Sequence, residues 1–367
     1  MSLDGEVEAG LRAVGELYDV VVVGCGPAGS ATLMKGVELG LKCLGLEKHR
    51  FPRPKPCAGV LYPRVLEDFE VPREAVEEDL VKVKLVAPSG NYAVVSFDPP
   101  GAIVDRGKFD HLLARRVKEK GVLVEEARVL AVELSTDRCR VLAEGMGIVE
   151  ARFVVAADGV YSAVARSLGA PWRLDELALT LQAYMEVSES EHLDVRGVFE
   201  VYYDPLETPG GWKWVAGRRR DVLVGIGQPI RELGLSSVLK VKLEEFLRRR
   251  FKGGRVLKVE AYMLPFKGPK RDRLVKGRVL FVGDAGGFVR SDTGEGIYYA
   301  MHSGEAAAEA IREALDGGDL EKTFLDRLHD HGLLQLFDAT EVHGALRSVE
   351  GAEEFVERVR RLSGGGL

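Results

Sequence analysis

The stretch YDVVVVGCGPAGSATLMKGVELGLKCLGLEKHR (18–50) narrows the choice of fold more than any other in the chain. Tyr18–Val23 is a continuous apolar run, the pattern of a buried strand, and a second strand ends at Glu47. Between them Gly24, Gly26 and Gly29 stand in GxGxxG spacing ahead of a helix that runs to about Gly40. The first glycine permits a tight turn, the second lets backbone approach a pyrophosphate, and the third lets the helix pack close to the strand. The helix N-terminus adds partial positive charge. Glu47 lies 18 residues past Gly29, where an acid hydrogen-bonds ribose hydroxyls. The unit reads as βαβ with a dinucleotide site at its first turn.

Further along, 81–87 and 91–97 alternate like paired strands, and GKFDHLLARRVKEKG (107–121) has helical periodicity up to a glycine stop. Strands follow near 122–133, 138–143 and 148–157, the last a run apolar enough for a sheet covered on both faces. Past Pro171 the texture changes. Strand-like stretches at 177–187, 197–203, 211–216 and 221–227 carry aromatics, then come a charged helix near 236–251 and a strand at 256–264. RVLFVGDAGG (278–287) returns to the buried parallel type, and a helix with small residues follows from Glu295 to Leu315. The expected organisation is an extension over 1–17, a discontinuous nucleotide-binding domain over 18–170 and 271–318, an inserted antiparallel α+β lobe over 171–270, and C-terminal helices over 319–367.

Composition excludes some functions. The 367 residues include 57 Asp and Glu against 51 Lys and Arg, a net charge of −6 that argues against a general nucleic-acid binder. No stretch approaches the ~20 uninterrupted apolar residues of a membrane span, and the acidic start resembles no secretion signal, so a cytoplasmic location is expected. Basic runs at Arg218–Arg220, Arg248–Arg250 and Lys267–Lys276 read either as solvated surface or as a face for anionic lipid, which would give peripheral membrane contact. One Asn and three Gln against 33 Arg is the pattern of heat-adapted proteins. Cys25, Cys43, Cys57 and Cys139 fit no zinc spacing, so no metal is expected; free thiols are the default, with a Cys43–Cys139 disulfide the alternative.

Two more glycine motifs lie downstream, AADGVYSAVAR (156–166) and GDAGGF (283–288). Together with GCGPAG they resemble the three signatures of the FAD-dependent hydroxylase-like fold, a Rossmann-type α/β FAD-binding domain carrying a smaller antiparallel lobe, as in p-hydroxybenzoate hydroxylase. GDAGGFVRSDTGEGIYYAMHSGEAAAE (283–309) is similar to the geranylgeranyl reductase family, with Ser291 or Asp292 where its members have proline. PRPKPCAGV (52–60) resembles that family's KPCGGG-type loop, and IVDRGKFDHLL (103–113) its DR-x-x-FD segment. The resemblance spans about residues 17–316.

The resemblance implies FAD contacts at Ala28, Glu47, Cys57, Ala58, Val60, Arg106, Leu130, Asp158, Asp284, Gly294, Gly296 and Ile297, beside Gly24, Gly26 and Gly29. Arg106 would reach the phosphates or ribose, and Leu130 would offer only backbone near the adenine. Cys57 reads as a packing thiol, a flavin neighbour or a reactive thiolate. TPGGWKWVAG (208–217) stands where the family carries YxWxFP; Trp212 and Trp214, at alternate positions of one strand, share a face and would line an apolar substrate channel. Ala216 and Gly217 replace the family's Phe and Pro, and the C-terminal region is shorter than in many relatives.

The implied activity is FAD-dependent reduction of isolated double bonds in geranylgeranyl or other polyprenyl chains, with archaeal-type membrane lipids as the expected substrates. NAD(P)H or ferredoxin would supply the electrons. The proton donor is not identified, with Cys57, Tyr298 and His302 as candidates. The rival readings are an FAD-dependent aromatic monooxygenase, which shares all three FAD motifs, and a flavin halogenase, whose WxWxIP strand resembles WKWVAG.

Overall fold

The computed structural model describes residues 15–234, 236–337, 344 and 346–363; most of the expected extension over 1–17 lies outside them. Two eight-stranded sheets organise the chain. The first contains β1 (Leu17–Val23), β2 (Cys43–Leu46), β6 (Leu123–Val124), β7 (Val129–Leu134), β8 (Cys139–Ala143), β9 (Gly147–Ala156), β15 (Val275–Lys276) and β16 (Val279–Phe281). Its path runs β15-β16-β9-β1-β2-β6, with β8 joining β9 to β7. The contacts of β1 with β2 and β9, and of β9 with β16, are parallel, in registers that bring Val23 level with both Leu46 and Ala156.

Both faces of that sheet are covered, which is why its strands read as unbroken apolar runs. Val20 and Val22 pack into one core, with α1 (Pro27–Glu38) and α4 (Ile297–Leu315), while Val21 and Val23 pack into another with Val154 and Phe281. Between α1 and α4, a Cβ at Gly304 would stand 2.3 Å from the Ala28 carbonyl oxygen, so only glycine permits this helix crossing. The small-residue face of α4 is thus a packing requirement. All four cysteines are free, which removes the disulfide alternative: burial pushes the thiols of Cys25, Cys43 and Cys139 up to about 12, while Cys57 is partly exposed.

The second sheet comprises β3 (Val60–Leu61), β4 (Val76–Val86), β5 (Tyr92–Val104), β10 (Leu177–Glu186), β11 (Val198–Tyr202), β12 (Trp212–Gly217), β13 (Val222–Pro229) and β14 (Arg255–Pro265). Its order is β14-β10-β13-β12-β11-β4-β5-β3. It is antiparallel except where β11 meets β4. Sheet membership therefore does not follow a boundary at 171, because β3, β4 and β5 leave the first half of the chain to extend the lobe's sheet. α2 (Arg106–Glu119) follows β5, with the Asp105 carboxylate accepting from the Lys108 N–H as its N-cap. α3 (Ser236–Arg250) covers one face of the lobe through Leu239, Leu243 and Phe246. α6 (Val349–Leu362), beyond α5 (Leu320–Asp330), places Ala352 and Val356 in the core that contains Trp212 and Trp214.

Candidate active site

The first turn is built by contact between backbones. Gly24 has φ +90°, and a Cβ there would lie 2.6 Å from the Ala157 carbonyl oxygen; a Cβ on Gly29 would lie 1.9 Å from the oxygen of Gly24. Gly26 differs, since its Cβ would meet only the Arg53 guanidinium, at 3.5 Å, and would project into the cavity that Gly26 lines. Glu47 is almost fully buried and accepts hydrogen bonds from the backbone N–H of Cys25 at 2.9 Å and of His49 at 3.0 Å. The carboxylate thus fixes the glycine turn as well as lining the site.

That cavity, of about 610 Å³, is also lined by Ala28, Glu47, Cys57, Arg106, Leu130, Asp158, Asp284, Gly294, Gly296 and Ile297, together with Gly24. Gly29 packs behind the turn and is not among the lining residues. Asp158 accepts from the N–H groups of Ala163 and Val164 through Oδ2, at 2.7 and 3.3 Å, while its buried Oδ1 has no partner; burial raises its pKa. Arg106 donates through Nε and Nη2 to the two oxygens of Asp110, at 2.9 and 3.1 Å. Burial opposes its charge, but Asp110 and Cys57 together more than offset this, and its pKa lies above the ordinary arginine value. Of the glycines in 283–296, Gly283, Gly294 and Gly296 line the cavity; Gly286 and Gly287 instead fit against the carbonyl oxygens of Phe281 and Gly268.

A second cavity, of about 120 Å³, adjoins the first, and Pro56, Cys57, Tyr262, Leu264, Gly294, Gly296 and Ile297 line both. Here lie Ala58 and Val60, and here Trp212 and Trp214 share a face as their spacing requires. Opposite them in the register stand Gly227 and Gly225, and a Cβ on Gly225 would fall 2.0 Å from the Trp214 ring. The chamber is apolar with few polar groups: Gln182 is buried with neither amide atom hydrogen-bonded, the Trp214 indole N–H is unpartnered, and so is Oε1 of Glu295. Glu295 pairs with Arg64 through Oε2; burial nevertheless raises its pKa against the pull of Arg64 and Arg290.

Two catalytic candidates stand elsewhere. Tyr298 packs beneath the Arg64 guanidinium, and His302 is bonded to Asp68 and His331; neither lines either cavity. Helical geometry explains this, since residues next to or five beyond Ile297 point away from the face it presents. Arg53, Lys55, Tyr262 and Gln182 escaped the sequence reading. Arg53 and Lys55 sit within the quoted loop PRPKPCAGV; Tyr262 and Gln182 have no local signal. Lys55 lies 3.6 Å from Asp284 and 3.2 Å from the centre of the Tyr262 ring, and burial lowers its pKa to about 8 against the attraction of Asp284.

The basic runs form no uniform free face. Arg218 is tied to Asp221, Arg249 to Glu207, Arg250 to Glu200, Lys267 to Asp175 and Lys270 to Glu176, while Arg273 lies over the Trp172 ring. Among the described residues, no helix is long and apolar enough to cross a membrane.

The larger cavity suits FAD on its own geometry: a turn open to phosphate at Gly26, a buried acid at the end of β2, an Arg53 Nε that makes no hydrogen bond, and Asp158 with a free oxygen. Comparison with known proteins agrees. The FAD binding domain family matches residues 17–334. The chain is 31% identical to digeranylgeranylglycerophospholipid reductase 1 of Methanopyrus kandleri over 92% of its length and 96% of that protein's. It is likewise 31% identical to the chloroplastic geranylgeranyl diphosphate reductase of Nicotiana tabacum, over 90% of this chain and 73% of that one. In fold it matches a geranylgeranyl bacteriochlorophyll reductase-like protein of Thermoplasma acidophilum with TM-score 0.81 at 24% identity, over 94% and 91% of the two chains. The fold and cavity thus define an FAD-dependent oxidoreductase. Within that class the chain belongs to the geranylgeranyl reductase family.

The two glycines separate packing from binding. Gly29→Ala forces a methyl into backbone and should lower stability by about 1–3 kcal/mol or more in urea unfolding. Gly26→Val should fold but purify without yellow cofactor; FAD-saturated Gly26→Val protein would contradict the placement of the pyrophosphate.

Proposed function

We propose that the protein reduces isolated double bonds of geranylgeranyl chains, with the prenyl chain in the Trp212–Trp214 chamber and FAD in the larger cavity. The observation that carries this reading is the shared wall: Cys57, Tyr262, Gly294, Gly296 and Ile297 border the larger cavity on one side and an apolar chamber on the other. Bound and reduced, FAD supplies hydride to one alkene carbon while a proton completes the other.

The chain's own residues do the rest. Gly24, Gly26, Glu47 and Arg106 would hold the nucleotide, with Ala28, Asp158 and Asp284 along its length and Leu130 near the adenine. Lys55 holds positive charge beside Asp284 at the cavity wall, suited to the extra negative charge of a reduced cofactor. Cys57 fits the reading of a flavin neighbour, because it stands in the shared wall. The indoles and Leu264 present apolar surface that excludes water and orients the chain, the main service such a site gives to a reaction between bound partners. Glu295 is assigned to hold the proton: its raised pKa keeps it protonated to higher pH than an ordinary glutamate, and its free Oε1 lies in the chamber wall.

The names of the relatives favour a prenylated membrane lipid or geranylgeranyl diphosphate as substrate. Ferredoxin or NAD(P)H would supply electrons, and a lipid substrate would bring the protein to a membrane surface without insertion.

Geranylgeranyl lipids incubated anaerobically with dithionite-reduced protein should gain about 2 mass units for each double bond reduced. No gain on any head group, with flavin bound and reduced, would turn the assignment toward oxygen-dependent hydroxylation. Trp214→Ala should keep FAD yet lower kcat/KM on long chains by about 10–200-fold, the range for lost apolar contact; unchanged kinetics would remove Trp214 from the chamber. Glu295→Gln should bind substrate but slow kcat by about 10²–10⁴-fold, and an unaltered kcat would assign the proton elsewhere.

A further inference from the structure

Away from both cavities, α4 presents His302, Glu305 and Glu309 along one face, three and then four residues apart. His331, directly after α5, comes to the same face, as does Asp68 at the end of the helix Pro63–Asp68. The Nδ1 atoms of His302 and His331 are 2.9 Å apart. Each ring's other nitrogen faces a carboxylate: Nε2 of His302 lies 3.0 Å from Asp68, and Nε2 of His331 lies 3.1 Å from Glu309. The rings of Phe69 and Tyr298 pack edge-on against His302, with centroids 4.6 and 4.4 Å away, and hold it in place.

We infer that His302, His331 and Glu305 form a binding site for a divalent transition-metal ion of the zinc class, with Asp68 and Glu309 orienting the two imidazoles. Three observations converge. One oxygen of Glu305 and one nitrogen of each histidine all lie within 4.8 Å of one another. Imidazoles that ligate a metal characteristically donate the opposite N–H to a carboxylate, and both do so here. Glu305 itself accepts no hydrogen bond among the described residues, which leaves its oxygens free to ligate.

The geometry sits close to what a metal requires. Zinc–nitrogen bonds of about 2.0–2.1 Å at a tetrahedral ion put two nitrogens about 3.3 Å apart, so the Nδ1 pair has only to widen by about 0.4 Å. With each Nε2 proton committed to its carboxylate, the two Nδ1 atoms can share one proton between them. The ion takes the place of that proton, which is released to solvent. Three carboxylates around two neutral rings favour a dication, and imidazole with carboxylate suits zinc better than magnesium or calcium. Water completes the coordination. The ion would tie the end of α5 to α4, whose first residue, Ile297, lines both cavities.

The test uses the full FAD-loaded chain, stripped with chelator and dialysed against micromolar Zn²⁺, with metal counted by mass spectrometry and Co²⁺ absorption as a second readout. One ion per chain is expected, with the visible bands of four-coordinate Co²⁺. His331→Ala and Glu305→Gln should each lose it while remaining yellow, and Asp68→Asn should weaken binding by about 10–100-fold. If His331→Ala cannot hold FAD, Glu305→Gln decides, since it keeps the shape of the side chain. Absence of zinc from the unsubstituted chain, or zinc retained in full by Glu305→Gln, would overturn the assignment and leave a proton-sharing histidine pair.

Discussion

The nucleotide half of the molecule depends on one contact that admits no side chain: the carbonyl oxygen of Gly24 against the α-carbon of Gly29, where a methyl would stand at 1.9 Å. That approach lets α1 start close to the end of β1, with its first residues, Pro27 and Ala28, lining the cavity. Gly24 is in turn pressed against Ala157 at the end of β9. Three elements therefore meet through backbone alone. Glu47, accepting the N–H groups of Cys25 and His49, ties β2 into the same junction. The cradle is thus set by covalent geometry and one buried carboxylate before any ligand arrives, so little ordering entropy is lost on binding.

What could be read from the sequence follows the range of the forces involved. The β1–α1–β2 unit, the helix within 107–121 and the helix after TGEGI depend on neighbours a few residues away, and their patterns are plain. Pairing of β4 with β11 joins residues more than 100 positions apart, and nothing local marks it. The site divides in the same way. Glycines and acids at strand ends are legible because backbone constraint selects them, and Trp212 and Trp214 because alternation along a strand is local. Tyr262 and Gln182 reach the chamber only through sheet order. His302 looked close to the flavin motif because it is near in sequence, yet a helix turns it toward Asp68 and His331 instead.

The lobe shows how a sheet makes room for bulk. Trp212 and Trp214 lie opposite Gly227 and Gly225, so each indole occupies volume that a cross-strand side chain would otherwise fill. Gly217, which replaces a proline of the family pattern, has its own reason: a Cβ there would lie 2.0 Å from the Val195 carbonyl oxygen. The departure from YxWxFP at Gly217 therefore falls where the strand end meets the Val195 backbone, while Trp214 keeps the tryptophan of that pattern.

The interleaving of the two sheets has a consequence for how such a protein can change. The chain leaves the first sheet after β2 for β3, β4 and β5, returns at β6, leaves again at β10 and comes back only at β15. The apolar chamber is accordingly no contiguous cassette. A recombination event that transferred 171–270 from a relative would import β10 to β14 but leave their partner β4 behind, breaking the β4–β11 seam. Divergence in specificity must proceed by point substitution within a framework that is inherited whole.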